Sequence, residues 1–182
     1  MDLSALTATD ALDAMDRGDL SSTELVEACI GRIEQLDPVI NAMVVRDFDR
    51  ARATADAADS ARANGDELGP LHGVPVAIKD LQPTAGLRTT YGSPAFADHV
   101  PTEDAGIVAR IRAAGGIVIG KTNIPERSIG ANTVNRLFGA TGNPFDPTKT
   151  CGGSSGGSGV ALAAETIDEG QAIEKLEQLR KS

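Results

Sequence analysis

Gly115-Gly116-Ile117-Val118-Ile119-Gly120-Lys121-Thr122-Asn123 has two incompatible readings, and the choice between them decides the fold. Gly115 to Thr122 fits G-x-x-x-x-G-K-[ST], the pattern of a phosphate-binding loop. Such a loop follows a strand and keeps the N–H groups between its glycines free for phosphate. Here residues 103–113 precede it, with Ile107, Val108 and Ile111 at the spacing of a helix turned inward. The β-branched run Ile117-Val118-Ile119 belongs in a sheet, where its N–H groups pair with a neighbouring strand. Gly115-Gly116 therefore ends a helix, and an apolar strand buried on both faces follows. Helix then buried strand predicts a layered α/β fold.

Working outward, Val74 to Ile78 is a second short apolar strand, closed by Lys79 and Asp80. A lysine at the end of a buried strand loses hydration, which lowers its pKa and lets it accept a proton near neutrality. The alternative is a lysine that snorkels to solvent. Between the two strands, Pro83, Gly86, Gly92 and Pro94 mark loop. Residues 1–64 read as helical, with Ser21 and Glu24 forming a capping box. Leu25, Cys29, Ile33 and Leu36 then recur at helical spacing until Asp37-Pro38, a stop signal. Ala42-Met43-Val44-Val45 is either a short strand or the lead-in to the next helix. Residues 47–63 form a solvated helix with an alanine face, ended by Asn64-Gly65.

Downstream, Gly142-Asn143-Pro144-Phe145-Asp146-Pro147 is turn chemistry, and Cys151-Gly152-Gly153-Ser154-Ser155-Gly156-Gly157-Ser158-Gly159 follows it. Such a run can be a flexible linker. Against that, apolar segments flank it on both sides, and Val160 to Ala164 starts a helix directly behind it. Glycines ahead of a helix let backbone N–H groups converge, and serines there lie within reach of a substrate.

Composition narrows the function classes. The 182 residues suffice for one core, with 41% apolar and 24% charged residues. A net charge of −9 with 3% aromatics argues against direct nucleic-acid contact and against an anionic membrane surface. No apolar run is long enough to span a bilayer, and Met1-Asp2-Leu3-Ser4 does not open a signal peptide. Cys29 and Cys151 are too few for a disulfide framework, and with His72 and His99 they show no metal-ligand spacing. A reduced, cytoplasmic protein without metal or organic cofactor is expected. His72 is expected to be structural and Cys29 a core residue of its helix.

Four ordered stretches carry a resemblance: Gly69 to Asp80, Gly115 to Asn123, Gly142-Asn143-Pro144, and Gly152 to Ala164. Over roughly residues 5–165 the chain resembles the amidase signature family. The resemblance implies the N-terminal part of a mixed α/β sheet flanked by helices, and hydrolysis of carboxylic amide C–N bonds through a Ser-cisSer-Lys triad. It implies that Lys79 is the catalytic lysine and that Ser154, after a cis peptide, relays protons. Ser155, Gly152 and Gly153 then organise the site or hold substrate. The family's nucleophile lies about two dozen residues further on, in a D-x-G-G-S stretch that also supplies the oxyanion hole. Residues 166–182 contain no paired glycines and no serine before Ser182. Nucleophile and oxyanion donors are thus missing, and the chain is expected not to turn over amides alone.

The sequence accordingly divides into 1–165, the amidase-signature portion (1–64 helical, 69–165 α/β), and 166–182, a divergent helical tail. In that tail Thr166 or Asp168 can cap a helix bearing Ala172, Leu176 and Leu179, and Ile167 to Glu177 faintly resembles the closing helix of anthranilate phosphoribosyltransferase. The expected ligand is a small-molecule amide, with self-association or the missing C-terminal portion as further partners, since a partial sheet leaves strand edges open. Two alternatives remain: a non-catalytic module that binds amides or carboxylates, and a remnant of the A component of a glutamyl/aspartyl-tRNA amidotransferase, which shares these motifs.

Overall fold

The computed structural model describes Leu3 and residues 6–164. The expected tail helix and the likeness of Ile167 to Glu177 lie outside the described residues. The first helices are α1 (Ala8–Arg17), capped by the Thr7 side chain, and α2 (Ser22–Ile40), whose capping box joins Ser21 and Glu24 reciprocally. Pro38 does not stop α2. It sits in the last turn on the exposed side, and Glu34, one turn earlier and also exposed, has the carbonyl that loses the bond a prolyl nitrogen cannot donate. Asn41 ends the helix in the left-handed conformation, and the buried Asp37 carboxylate accepts the Ala42 and Met43 N–H groups beyond it. This turns the chain into β1 (Met43–Arg46), so the ambiguous segment is a strand.

Helix α3 (Phe48–Asn64) buries Ala51, Ala55 and Ala58 and ends on left-handed Gly65. Strand β2 (Pro75–Lys79), α4 (Gly106–Ala113) and β3 (Ile117–Thr122) follow. The sheet order is β1-β3-β2, with β3 antiparallel to β1 and parallel to β2. It is a mixed sheet, and every residue of its central strand is buried. On one face Ile117, Ile119 and Met43 pack with Val26 and Ile30 of α2 and the alanines of α3. On the other, Val118 and Ile78 pack with Val108 of α4 and Leu87. Helix α4 starts three residues later than the periodicity suggests, and Ile107 is exposed rather than inward. Only Val108 and Ile111 reach the sheet from this two-turn helix.

A bulge between Val76 and Ala77 resets the β2–β3 register at Gly120. A Cβ on Gly120 would collide with the Val45 carbonyl oxygen, so only glycine lets β1 approach here. After the bulge, Ile78 is registered with Lys121 and Lys79 with Thr122. Two small hairpins follow: β4 (Val134–Asn135) with β5 (Gly139–Ala140), and β6 (Gly142–Asn143) with β7 (Asp146–Thr150). Helix α5 (Gly156–Ala164) begins inside the glycine run, four residues before Val160. Its Val160 and Ala164 pack with Leu36 and Ile40 of α2.

Candidate active site

The fold brings the end of β2 against the loop that leads into α5. Lys79 Nζ donates to Ser154 Oγ at 2.9 Å and to Ser155 Oγ at 3.0 Å. Lys79 and Ser154 are half-buried, and Ser155 is exposed. Burial of the amine holds the Lys79 pKa below the ordinary lysine value. The Gly153–Ser154 peptide is cis, and Gly152 has a φ of 77°. Thr133 holds this loop: its N–H and its hydroxyl both donate to the Gly152 carbonyl, at 2.9 and 2.8 Å. The Gly156 N–H in turn donates to Thr133 Oγ1 at 3.1 Å. Gly153 lies against the backbone of Ala131 and Asn132.

Packing at the start of α5 leaves no room for side chains. A Cβ on Gly157 would collide with the backbone nitrogen and carbonyl oxygen of Asn123. The Gly157 N–H donates to the Asn123 carbonyl, tying the helix to the residue that follows β3. One residue on, Ser158 Oγ and Thr122 Oγ1 share a hydrogen bond of 2.7 Å. Because Thr122 is the register partner of Lys79, this bond fixes α5 over the strand pair that carries the lysine. The glycine-serine run is therefore a packed element and not a linker.

Motif reading places Lys121 only in a phosphate-loop pattern and gives Asp80 no role of its own. Lys121 is fully buried, and its ammonium donates to Gln82 O, Thr84 Oγ1 and Thr89 Oγ1 at 2.5, 2.8 and 3.1 Å. Burial lowers its pKa to about 8, with Asp80 and Asp104 opposing the shift. Asp80, also fully buried, accepts the Thr90 hydroxyl at 2.5 Å and the Thr90 and Gly92 N–H groups. Burial pushes its carboxyl above the usual range, while those donors and Lys121 pull it down. The one signal in the sequence is an Asp and a Lys beside apolar runs that form adjacent strands. With its amine used on loop oxygens and Ile117 to Ile119 inside a strand, the phosphate-loop pattern has no phosphate chemistry here.

His72 Nε2 lies 2.9 Å from the Ala58 carbonyl oxygen, a structural contact. Cys29 and Cys151 form no disulfide, and burial pushes the Cys151 thiol up. Among the described residues no group of three or more His, Cys, Asp or Glu side chains is placed to hold a metal, and no helix is long and apolar enough to cross a membrane. An apolar cavity of 320 Å³ lies between α2, the sheet and α5, lined by Ile33, Leu36, Val76 and Ala161 among others. Neither Lys79 nor Ser154 nor Ser155 lines it, so the cavity is separate from that cluster.

A family model described as Amidase matches residues 24–172. The chain belongs to the amidase family. It is 45% identical over 166 residues to the A component of the glutamyl-tRNA(Gln) amidotransferase of Chloroflexus aurantiacus, covering 91% of this chain and 34% of that protein. It is also 45% identical over 161 residues to an acylamidase of Rhodococcus erythropolis, covering 87% of this chain and 33% of that protein. The crystal structure of a bacterial aryl acylamidase belonging to the amidase signature enzymes superposes with a TM-score of 0.83 at 32% identity, over 86% of this chain and 33% of that one. This amidase-family chain thus spans about a third of the length of the relatives it matches.

Proposed function

We propose that the chain carries the base-and-relay half of an amide-hydrolysing Ser-cisSer-Lys site. Lys79 is the base, Ser154 the relay, and Ser155 with Gly152 and Gly153 organises the loop that receives the amide. The observation that supports this reading is one amine held within hydrogen-bonding distance of two serine hydroxyls. As free base, Lys79 takes the Ser154 proton, and Ser154 is then able to deprotonate a nucleophilic hydroxyl brought beside it. The D-x-G-G-S stretch that supplies nucleophile and oxyanion donors in the family has no match in residues 166–182, so this sequence alone does not turn over amides. The proposal takes residues 1–165 as one unit and the tail as separate from it. It includes a cytoplasmic setting, the expectation drawn from the sequence's low cysteine content.

The test is a fluorophosphonate probe on the purified chain, with peptide mass spectrometry and an amide-turnover assay alongside. Labelling of Ser154 or Ser155 that depends on Lys79, without turnover, is the expected result. Lys79-dependent turnover overturns the half-site reading, and amide binding without labelling converts it to the non-catalytic module. A second reading rests on the 45% identity to the amidotransferase component. On that reading the same pocket supplies ammonia chemistry to a tRNA-dependent partner, and copurification with a second protein of that enzyme is its test.

A further inference from the structure

Lys79 owes its place to the turn that follows it. The Gln82 N–H donates to the Lys79 carbonyl at 2.9 Å, and the Asp80 N–H donates to the Thr122 carbonyl at 3.1 Å. These bonds hold the last residue of β2 beside β3. The turn is itself held from the far side of the sheet, because the Gln82 carbonyl accepts from Lys121 Nζ. The same ammonium collects Thr84 and Thr89, residues of the loop that returns to Asp80. Asp80 closes the loop by accepting from Thr90 and Gly92, and its carbonyl accepts the Tyr91 N–H at 3.2 Å. Every donor of the buried amine therefore ends on the segment immediately after Lys79.

Strand alternation separates the two lysines. Lys121 is registered with Ile78, and Lys79 with Thr122, so the two side chains leave opposite faces of one sheet. Lys121 touches neither serine. It reaches Lys79 through two bonds in series, Lys121 Nζ to Gln82 O and Gln82 N to Lys79 O.

We propose that Lys121 is a positioning residue for the Lys79–Ser154–Ser155 constellation, clamping the 79–82 turn from the back of the sheet so that the Lys79 amine stays between the two hydroxyls. The inference rests on the reading of Lys79 as the base of that site. Three donors on one compact ammonium suit three converging oxygens, whereas a surface lysine keeps its donors on water. A charge this deep is costly unless its partners are fixed, so the loop and the amine order each other.

The experiment is a ¹³Cε NMR titration of Lys79 in the purified chain, with amide hydrogen exchange at Gln82. In Lys121→Met the turn loosens, water reaches Lys79, and its titration midpoint rises toward the ordinary lysine value while Gln82 exchanges at least ~10-fold faster. Should that variant fail to fold, Thr84→Val removes one partner and shifts both readouts in the same direction by less. Arg50→Ala releases the same loop from outside, where Arg50 bonds the Gly86 carbonyl, and leaves Lys79 unmoved. A lower melting temperature with an unchanged Lys79 midpoint makes Lys121 merely structural and overturns the proposal. Removing the hydroxyls with Ser154→Ala and Ser155→Ala tests the site reading separately. If those substitutions leave the Lys79 midpoint in place, the base assignment fails whatever Lys121 does.

Discussion

Lys79 and Lys121 stand on adjacent strands of one sheet and are used in opposite ways. Lys79 closes an outer strand, half-exposed, with its amine on two serine hydroxyls. Lys121 lies on the central strand, fully buried, with its amine on a backbone carbonyl and two threonines. Burial lowers both pKa values, Lys121 to about 8. The difference lies in what each amine can reach. The Lys79 partners are hydroxyls that can themselves pass protons to a bound molecule. The Lys121 partners belong to the chain's own loop, so its charge organises structure. A depressed lysine pKa is not by itself a mark of catalysis.

The contrast breaks most sharply on stability. Lys121→Met leaves the Gln82 carbonyl, two buried threonine hydroxyls and Asp80 without the ammonium, a loss of about 3–5 kcal/mol. For a chain of this size that lowers the melting temperature by ~10 °C in calorimetry. Lys79→Ala is expected to leave melting within ~2 °C but to slow fluorophosphonate labelling about 100-fold, or ~2.7 kcal/mol of barrier. If Lys79→Ala melts as badly as Lys121→Met, the division of labour between the two lysines is wrong. Gly157→Ala sharpens the picture from the serine side. Its Cβ meets the Asn123 backbone, so about 1–3 kcal/mol of stability is lost and labelling falls with it. A linker would accept that methyl without effect.

The smallest expected effect is a pH dependence. The folded-state pKa of Lys121 lies near 8, below the ordinary 10.5 of the unfolded chain. Between those pH values the unfolded chain holds a proton that the folded chain has released. Stability therefore rises with pH in that window, with the gain absent below about pH 8 and complete above about 10.5. Measured in urea titrations at several pH values, the stability difference between wild type and Lys121→Met grows as pH rises through that window. A difference that shrinks as pH rises contradicts the assignment of Lys121 as the depressed group.

Self-association is a further expectation of the partial sheet. Among the described residues β1 and β2 are its two outer strands, and the apolar cavity between α2, β2 and α5 adjoins one of them. Light scattering after gel filtration is expected to show oligomers, and a sharp monomeric peak with cooperative melting goes against it.

Much of this layout is legible in the sequence where local rules govern. The β-branched run at Ile117 to Ile119 packs only as a buried strand, and the Ser21–Glu24 capping box forms as its spacing requires. Lys79 stands out because it closes an apolar run. The misses share a physical cause, which is that distant parts of the chain decide them. Pro38 stays inside α2 because it falls in the last turn on the exposed side, where one lost bond costs little. The glycine run starts a helix early because Asn123 and Thr133 hold its N–H groups. Lys121 looks like part of a motif, since nothing local indicates that Thr84 and Thr89 converge on it from 37 and 32 residues away.

The central claim is that Lys79 is held on Ser154 and Ser155 as a base poised to act. A ¹³Cε pH titration of Lys79 tests it most directly. The account predicts a midpoint below 10.5 in the wild-type chain, falling further in Ser154→Ala/Ser155→Ala because the ammonium loses both acceptors. A Lys79 that titrates with the surface lysines, unmoved when both serines are removed, contradicts it.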